Sequence, residues 1–451
     1  MKRLSRFEIF LIFLVFCAAL LSAEPRLSSQ DQELLDLVQK KTFAFFWEFA
    51  HPVSGMIPER NTTPEMVTTG GTGFGAMVWI VGAERGWLKR EELLKRSHEV
   101  VDFLTHADRF HGAWPHWLNG ATGKVIPFST YDDGADLVET SFLMQGLLTL
   151  KAYFNRSSES ESSLRGKISR LWDEIEWDWF THGEKVLYWH WSPNYGWKMN
   201  LPIRGYNEGL ITYILAASSR THGISPEMYH QGWAGGNHFI NGKTYFGQYK
   251  LFLGEDYGGP LFLAHYSFLG LDPRGLKDRY ADYWAQNRNH SMINHLYCVQ
   301  NPKNYKGYSD KCWGITASDN PDGYAAHSPT NDKGVIAPTA AVSSLPYTPD
   351  QSMQALRNFY SQGNSLLGDF GFFDALCPQR NWIAKSYLAI DQGPIVIMIE
   401  NYRTGLLWRL FMQDQDVKRG LQVLGFSRNC VKWSDKEINF EEQLQISADN
   451  R

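Results

Sequence analysis

Acidic side chains are spaced for acid–base chemistry at the start of a strongly apolar segment. A helix beginning near Asp133 would place Asp136 and Glu139 on one face, with Asp132 four residues before Asp136. Burying an isolated carboxylate on such an apolar helix costs much free energy. Acidic residues also favour the first turn of a helix, which accounts for Asp132 better than for Glu139. We therefore predict that these carboxyls face water or a ligand.

A further carboxyl, Glu208, lies between a glycine-containing loop and the apolar run 210–217. Partial desolvation at the mouth of such a helix raises the pKa of a carboxyl, which can then stay protonated and act as a general acid. The other interpretation is that Asn207 caps the helix and Glu208 occupies its first turn. The spacing alone does not choose between them.

Asp391 precedes Pro394 and the apolar run 395–399. This arrangement is typical of a helix start, because aspartate is a good N-cap and proline fits the first turn, where no internal donor is needed. From spacing alone, a structural role for Asp391 is the stronger interpretation.

Tryptophan and histidine side chains cluster in segments predicted to be loops. Flat aromatic rings beside polar groups suit pyranose rings, whose C–H bonds meet the π surface while their hydroxyls are bound at the edge. A tryptophan buried in the core is the ordinary alternative. The residues predicted to bind a sugar in this way are Trp114, His116, Trp117, Trp189, His190, Trp191, Tyr206 and Trp313.

The elements that must position these side chains are helical. From residue 29 to residue 422, apolar side chains recur at helical spacing in one segment after another, with few alternating runs. A short strand pair between 186–191 and 196–199 is one exception. Long loops alternate with short links, and loops above ~12–15 residues are uncommon unless functional. The pattern predicts an all-α ring of helical hairpins, formed as one domain over 28–428 and followed by a charged tail, 429–451.

Composition and motif spacing exclude several classes of protein. The chain has 451 residues and a net charge of −4, without the basic footprint of a nucleic-acid-binding protein. The histidines lack zinc-ligand spacing. The glycine-rich run 70–75 lacks both the preceding strand of a dinucleotide fold and the Gly-Lys-Ser/Thr ending of a phosphate loop. We predict no metal and no cofactor.

Residues 1–23 have the order of a secretory signal peptide. Lys2, Arg3 and Arg6 precede the apolar run 9–21, which ends next to the small residues Ser22 and Ala23. An uncleaved membrane anchor is the weaker alternative, because the run is shorter than the ~20 residues that span a bilayer. We expect an exported protein, periplasmic or extracellular, with no membrane span after cleavage.

Four cysteines follow the predicted signal peptide: Cys298, Cys312, Cys377 and Cys430. An exported protein could pair them, and the sequence does not distinguish the possible connectivities. The favoured interpretation is that they are buried free thiols, which behave as small hydrophobic side chains.

Motifs spread along the whole mature chain resemble the glycoamylase-like domain, and most closely the bacterial β-1,2-glucanases of glycoside hydrolase family 144. The motifs are HWLN at 116–119, DDGADLVET at 132–140, YWHWSP at 188–193, WGITASD at 313–319, APTAA at 337–341 and IDQGP at 390–394. The resemblance implies an (α/α)6 toroid, with six helical hairpins in a ring and a substrate pocket at the loop end.

The same resemblance implies an inverting glycoside hydrolase that acts on β-1,2-glucan or sophorose-type oligosaccharides, by endo or exo cleavage. It puts Asp132, Asp136, Glu139 and Glu208 in the active site, with Glu208 as the general acid. Asp391 would be the base that activates water, through a relay by a substrate hydroxyl. Inversion needs two carboxyls ~6.5–9.5 Å apart and no metal. We expect a monomer.

Two other functions stay open. A polysaccharide lyase on the same toroid would need Arg or Lys to neutralise a uronate, and the motif segments hold few basic residues besides Lys198 and Arg204. A non-catalytic glycan-binding protein would keep the tryptophans but would not need four acids. Product absorbance from a new double bond would identify the lyase, and binding without sugar release would identify the binding protein.

Overall fold

A computed structural model describes residues 27–428. The predicted signal peptide, the predicted tail and Cys430 lie outside the described residues. The chain forms two units, one ending at Leu37 and the other beginning at Val38. The architecture below concerns residues 38–428 of the second unit.

Helices dominate the described residues, and the strands are two to four residues long. The α-helices are α1 (Ser29–Glu48), α2 (Thr69–Glu84), α3 (Arg90–His106), α4 (Leu137–Tyr153), α5 (Glu159–Asp173), α6 (Leu210–Ser218), α7 (Tyr283–Gln300), α8 (Pro338–Ser343), α9 (Pro349–Ser361), α10 (Ala389–Arg403), α11 (Leu406–Gln413) and α12 (Gln415–Val423). The strands are β1 (Met66–Thr68), β2 (Trp117–Asn119), β3 (Val125–Ile126), β4 (Ala135–Asp136), β5 (His190–Trp191), β6 (Thr244–Tyr245), β7 (Tyr249–Lys250), β8 (Leu276–Lys277), β9 (Ala317–Asn320), β10 (Gly323–Ala326), β11 (Leu367–Gly368), β12 (Gly371–Phe372), β13 (Leu376–Cys377), β14 (Trp382–Ile383) and β15 (Ser427–Arg428).

Buried and amphipathic helices alternate along the chain. The helices α2, α4, α6, α8 and α10 are buried on nearly all sides, as are the 3₁₀ turns Leu261–Ala264 and Tyr266–Phe268. A helix that is buried all round must be surrounded by protein. The buried helices pack side by side in the order α8, α10, α2, α4, α6, and α9, α3, α5 and α12 cover α8, α2, α4 and α6 from outside. The predicted (α/α)6 toroid is confirmed.

The strands belong to the loops and form only small antiparallel sheets. The largest described sheet has three strands, β1, β2 and β3. The strand pair predicted between 186–191 and 196–199 is not formed as such. In the described residues, this region is joined to itself only by isolated antiparallel bridges, Ser192 with Gly196 and Tyr188 with Pro202. The strand β5 pairs with β4, which aligns His190 with Asp136. The same pairing holds residues 135–136 extended, so α4 begins at Leu137 and not near Asp133.

Glycines allow α2 and α4 to approach each other closely. A Cβ atom on Gly146 would lie 2.0 Å from the carbonyl oxygen of Gly73, and one on Gly73 would lie 2.1 Å from that of Phe142. Any side chain at either position would force the two helices apart. The glycine-rich run 70–75 therefore serves helix packing.

Three predicted free thiols are present in the described residues: Cys298, Cys312 and Cys377 are buried and unpaired. No helix within residues 27–428 combines the length and the apolar character needed to cross a membrane.

We expect Gly146→Ala to lower the free energy of unfolding by about 1–3 kcal/mol, because the added methyl group overpacks the contact between α2 and α4. Urea denaturation measures this change. Gly166→Ala is the matched control, since Gly166 lies on the exposed side of α5 with open space around it. There, alanine should stabilise the helix by about 0.5–1 kcal/mol. Equal effects of the two substitutions would contradict the packing argument.

Candidate active site

A cavity of about 420 Å³ lies where the buried helices begin. Its wall includes Thr68 at the start of α2, Asp136 and Glu139 at the start of α4, Glu208 just before α6, and Ile390 in the first turn of α10. Helix N-termini carry a partial positive charge and free N–H groups, which stabilise carboxylates. The fold thus gathers acidic side chains from distant parts of the chain at one set of helix ends.

Asp136 is the N-cap of α4. Its Oδ1 accepts hydrogen bonds from the backbone N–H groups of Val138 at 3.0 Å and Glu139 at 2.9 Å. Its Oδ2 lies 3.2 Å from Nδ1 of His116 and 3.8 Å from Nδ1 of His190. Burial favours the neutral acid, but the hydrogen bond to His116 and the two imidazoles outweigh it and lower the pKa of Asp136. Asp136 is therefore ionised at neutral pH.

His116 and His190 supply positive charge on this side of the cavity. Burial opposes protonation, yet the Glu139 charge and the hydrogen bond to Asp136 raise the pKa of His116 to about 9. Nδ1 of His190 lies 3.2 Å from Oδ1 of Asp132. Burial lowers the pKa of His190, but the hydrogen bond to Asp132 and the charges of Asp136 and Asp132 outweigh this effect and raise it. His116, Asp132 and Asp136 bring three possible ligand atoms within 4.8 Å of one another. The imidazolium of His116 already provides positive charge there.

Glu139 is tied to the neighbouring helix α2. Its Oε2 accepts a hydrogen bond of 2.7 Å from the backbone N–H of Gly70 and a longer one, 3.4 Å, from the hydroxyl of Thr68. A Cβ on Gly70 would lie 2.5 Å from that same oxygen, so only glycine allows this approach. Burial and the nearby Asp136 charge raise the pKa of Glu139, although His116 opposes the shift.

Glu208 lies on the cavity wall in the segment that leads into α6. The helix α6 begins at Leu210, and Gly209 is its N-cap. Glu208 therefore precedes the first turn of the helix and is not part of it. The hydroxyl of Ser267 donates to the Glu208 carbonyl at 2.7 Å and accepts from the N–H of Ile211 at 3.1 Å, which fixes this turn. Burial, with smaller contributions from the Asp136 and Glu139 charges, raises the pKa of Glu208 to about 7.

Asp391 lies behind the cavity wall. It is the third residue of α10, so the N-cap role suggested by its spacing is wrong. Its side chain is 1% exposed and does not contribute to the wall, whereas its neighbour Ile390 does. The hydroxyl of Tyr266, a wall residue, donates to Oδ1 of Asp391 at 3.2 Å. Tyr266 thus connects Asp391 with the cavity.

Three of the predicted sugar-binding residues, His116, Trp117 and Trp189, line the cavity. Trp114 and Trp313 do not, because both are fully buried core residues. Their indole N–H groups donate to main-chain carbonyls, that of Trp114 to Leu104 at 3.1 Å and that of Trp313 to Gln351 at 3.3 Å. These two predictions are corrected.

The remaining predicted residues also lie off the cavity wall. His190 faces the carboxylates, and Trp191 packs against His111 with ring centres 5.0 Å apart. Tyr206 is buried and its hydroxyl donates to Asn287 at 3.4 Å. Asp132 is buried beside His190 and does not line the cavity.

The prediction missed Glu59, Arg60, Phe128 and Tyr266, all of which line the cavity. Arg60 forms ion pairs with Glu59 at 2.6 Å and with Asp319 at 3.1 Å. Adjacent opposite charges within a long loop were the available signal for Glu59 and Arg60. Phe128 is half exposed and packs on Trp117 with ring centres 4.7 Å apart, which makes it part of the aromatic surface of the cavity.

The chain is similar to known proteins in both sequence and fold. The Glycoamylase family model matches residues 200–415. An endo-β-1,2-glucanase from Chitinophaga pinensis, solved with sophorotriose and glucose, is 52% identical with a TM-score of 0.86, over 89% of this chain and 99% of that chain. The chain belongs to the glycoamylase-like family. The resemblance predicted from the sequence motifs is confirmed.

Two matches within the glycoamylase-like family come from Parabacteroides distasonis. An exo β-1,2-glucooligosaccharide sophorohydrolase (non-reducing end) is 45% identical over 421 residues, which is 87% of this chain. The chain spans 58% of that relative's length. The crystal structure of a β-1,2-glucanase is 44% identical with a TM-score of 0.86, over 88% of this chain and 60% of that chain.

We expect the stabilising effect of His116 to depend on pH. Its pKa is raised from 6.5 to about 9, so its contribution is complete below pH 6.5 and is lost as the pH rises through about 9. His116→Gln should therefore destabilise the protein at mildly acidic pH and progressively less towards pH 9. Chemical denaturation across this range tests the trend, with His106→Gln, at the exposed end of α3, as the control. A difference that does not change with pH would contradict the assignment.

Proposed function

We propose that this chain is an inverting glycoside hydrolase that cleaves β-1,2-linked glucan by carboxyl general acid/base catalysis. The observation that carries the proposal is Glu208, a carboxyl on the cavity wall that stays protonated up to a pH of about 7. The named relatives act on the β-1,2 linkage and include one endo-acting and one exo-acting enzyme, so the proposal covers both modes.

Glu208 is the proposed general acid. Its protonated carboxyl donates the proton to the glycosidic oxygen as the bond to the anomeric carbon breaks. The neighbouring charges of Asp136 and Glu139 support this role, because a second or third negative charge beside them is unfavourable. After the products leave, the same repulsion favours the return of a proton to Glu208.

Asp391 is the proposed base, and it acts through a relay. Its buried carboxyl does not reach the cavity, but it accepts a hydrogen bond from the hydroxyl of Tyr266, a residue of the cavity wall. A water molecule, or a substrate hydroxyl that holds it, can therefore lose its proton towards Asp391 without direct contact. Inversion requires the acid and the base to work from opposite faces of the sugar.

An uncharged glucan suits the other wall groups. His116, Trp117, Phe128 and Trp189 give aromatic surface for pyranose rings. Arg60 is the sole arginine or lysine among the described wall residues, and Glu59 and Asp319 neutralise it. A lyase would need a cation free to neutralise a uronate, so this pairing favours hydrolysis of a neutral sugar.

We also propose that the protein is exported to the periplasm or the extracellular space, on the basis of the signal-peptide pattern in residues 1–23. A monomer is the proposed functional state.

We expect Glu208→Gln to reduce kcat/KM on β-1,2-glucan by about 10²–10⁴-fold, because the amide cannot donate the acid's proton. Sugar release is measured by chromatography and folding by circular dichroism. Glu227→Gln is the matched control, since Glu227 is exposed and paired with Lys185. Retained turnover by a folded Glu208→Gln protein would exclude Glu208 as the acid. Binding without sugar release by the unsubstituted chain would identify a glycan-binding protein instead.

We further expect the activity to fall as the pH rises through about 7, because Glu208 must carry its proton. Proton NMR of the first product should show the α-anomer, since inversion of a β-linkage forms it directly. Initial formation of the β-anomer would contradict inversion, and an absorbing unsaturated product would indicate a lyase.

A further inference from the structure

A carboxyl with no role in the mechanism above, Asp374, is buried beside Asp391. Asp374 lies between β12 and β13 and is 2% exposed. The side chains of Asp374 and Asp391 lie within hydrogen-bonding reach of each other, and each has one buried oxygen without a donor. Ionised carboxylates are acceptors only, so a hydrogen bond between two of them requires a proton on one.

The remaining partners of the two carboxyls locate this proton. Oδ2 of Asp374 accepts from the backbone N–H of Asp319 at 2.7 Å, and Oδ1 of Asp391 accepts from the Tyr266 hydroxyl at 3.2 Å. Oδ1 of Asp374 and Oδ2 of Asp391 are buried and have no other donor among the described residues. Buried polar atoms are seldom left without a partner. One proton between these two oxygens satisfies both.

The groups around the pair favour a single negative charge on it. Arg60 is the nearby cation, and it is engaged by both oxygens of Asp319, at 3.1 and 3.2 Å, and by Glu59. Burial, followed by the charges of neighbouring carboxyls, raises the pKa of Asp374 and of Asp391. The other titratable groups that face the pair are the hydroxyls of Tyr266 and Tyr324.

We propose that Asp374 and Asp391 share one proton and serve together as the proton acceptor of the cavity, reached through the Tyr266 hydroxyl. This inference rests on the proposed hydrolytic function and adds Asp374 to it as a positioning residue, which acts through Asp391. The pair carries a charge of −1 before the reaction.

The proton balance of the reaction follows from this charge. The attacking water bonds to the anomeric carbon and gives a proton to Oη of Tyr266, while the Tyr266 hydroxyl gives its own proton to Oδ1 of Asp391. The pair then holds two protons and is neutral. In the same step Glu208 gives its proton to the leaving glycosidic oxygen and becomes ionised. After the products leave, the pair releases one proton and Glu208 takes one up, both through solvent.

Asp374 adjusts the pH at which this acceptor works. A lone carboxylate buried behind Tyr266 would take up a proton readily and lose its function as a base. The shared proton stabilises the singly charged pair, and so lowers the pH at which a second proton binds; coupled carboxyls titrate as a unit in this way.

The substitution Asp374→Asn tests the arrangement without changing the charge of the pair. The amide still donates to Asp391 but more weakly than a carboxylic acid, so the acidic limb of kcat/KM on β-1,2-glucan should move up by about one pH unit. At a pH below the acidic limb, a shift of one unit corresponds to about a tenfold loss of kcat/KM. An acidic limb that stays in place in the folded variant overturns the proposal.

Asp332→Asn is the matched control. Asp332 is also buried and also accepts from tyrosine hydroxyls, at 2.6 Å from Tyr308 and 3.1 Å from Tyr297, but it does not line the cavity. Its pH profile should match that of the unsubstituted chain. Equal shifts in Asp374→Asn and Asp332→Asn would assign the effect to general loosening of the fold and overturn the proposal.

An infrared measurement tests the shared proton independently of activity. In the full chain labelled with carbon-13 aspartate, a protonated aspartate C=O band is expected at neutral pH. Both Asp374→Asn and Asp391→Asn should abolish this band at a pH well above the acidic limb of Asp374→Asn, because the single remaining carboxyl is ionised there while the pair in the unsubstituted chain keeps its shared proton. A band that persists in either variant, or that is absent from the unsubstituted chain, overturns the proposal. The expected bands together with no hydrolysis of β-1,2-glucan would refute the proposed function and uphold the shared proton.

Discussion

The structure depends on hydrogen-bond donors for carboxyl groups that are almost completely buried. Asp136 uses two N–H groups of the helix that it caps and the imidazole of His116, and Glu139 uses the N–H of Gly70 on the neighbouring helix. An unpartnered buried carboxylate would be much more costly than any of these contacts. The same hydrogen bonds therefore hold α2 against α4 and keep the acids in place. Gly70 and Gly73 are needed because a side chain at either position would occupy the space between the two helices.

Much of this arrangement could be predicted from residue types and spacing. Apolar periodicity indicated the helices, and the motif resemblance indicated how they are arranged. Asp136, Glu139 and Glu208 were recognisable because a carboxyl among apolar residues demands an explanation. The start of α4 was misplaced since the pairing of β4 with β5 depends on residues 190–191, which are more than fifty positions away. Local propensity carries no information about such a partner.

The aromatic residues show where local patterns stop being informative. Trp189, His190 and Trp191 are adjacent, and an extended chain points successive side chains in opposite directions. Alternation separates His190, which faces the carboxylates, from its neighbours, but it does not separate Trp189, which lines the cavity, from Trp191, which packs on His111. Asp374 could not be found in this way, because its significance comes entirely from its contact with Asp391 on another element. Tyr266 is a similar case, since it joins the cavity to Asp391 from a short 3₁₀ turn.

The wall of the cavity runs in sequence from Glu59 to Ile390, and its residues come from several inner helices and from the loops between them. No fragment shorter than residues 59–390 contains the whole wall, so we expect the chemistry to be lost in a partly folded intermediate. The ring of helices and the cavity wall therefore form together in folding. A local opening in the ring would abolish the catalytic activity before the protein unfolds globally. Resistance to proteolytic nicking in the native state should consequently track catalytic competence.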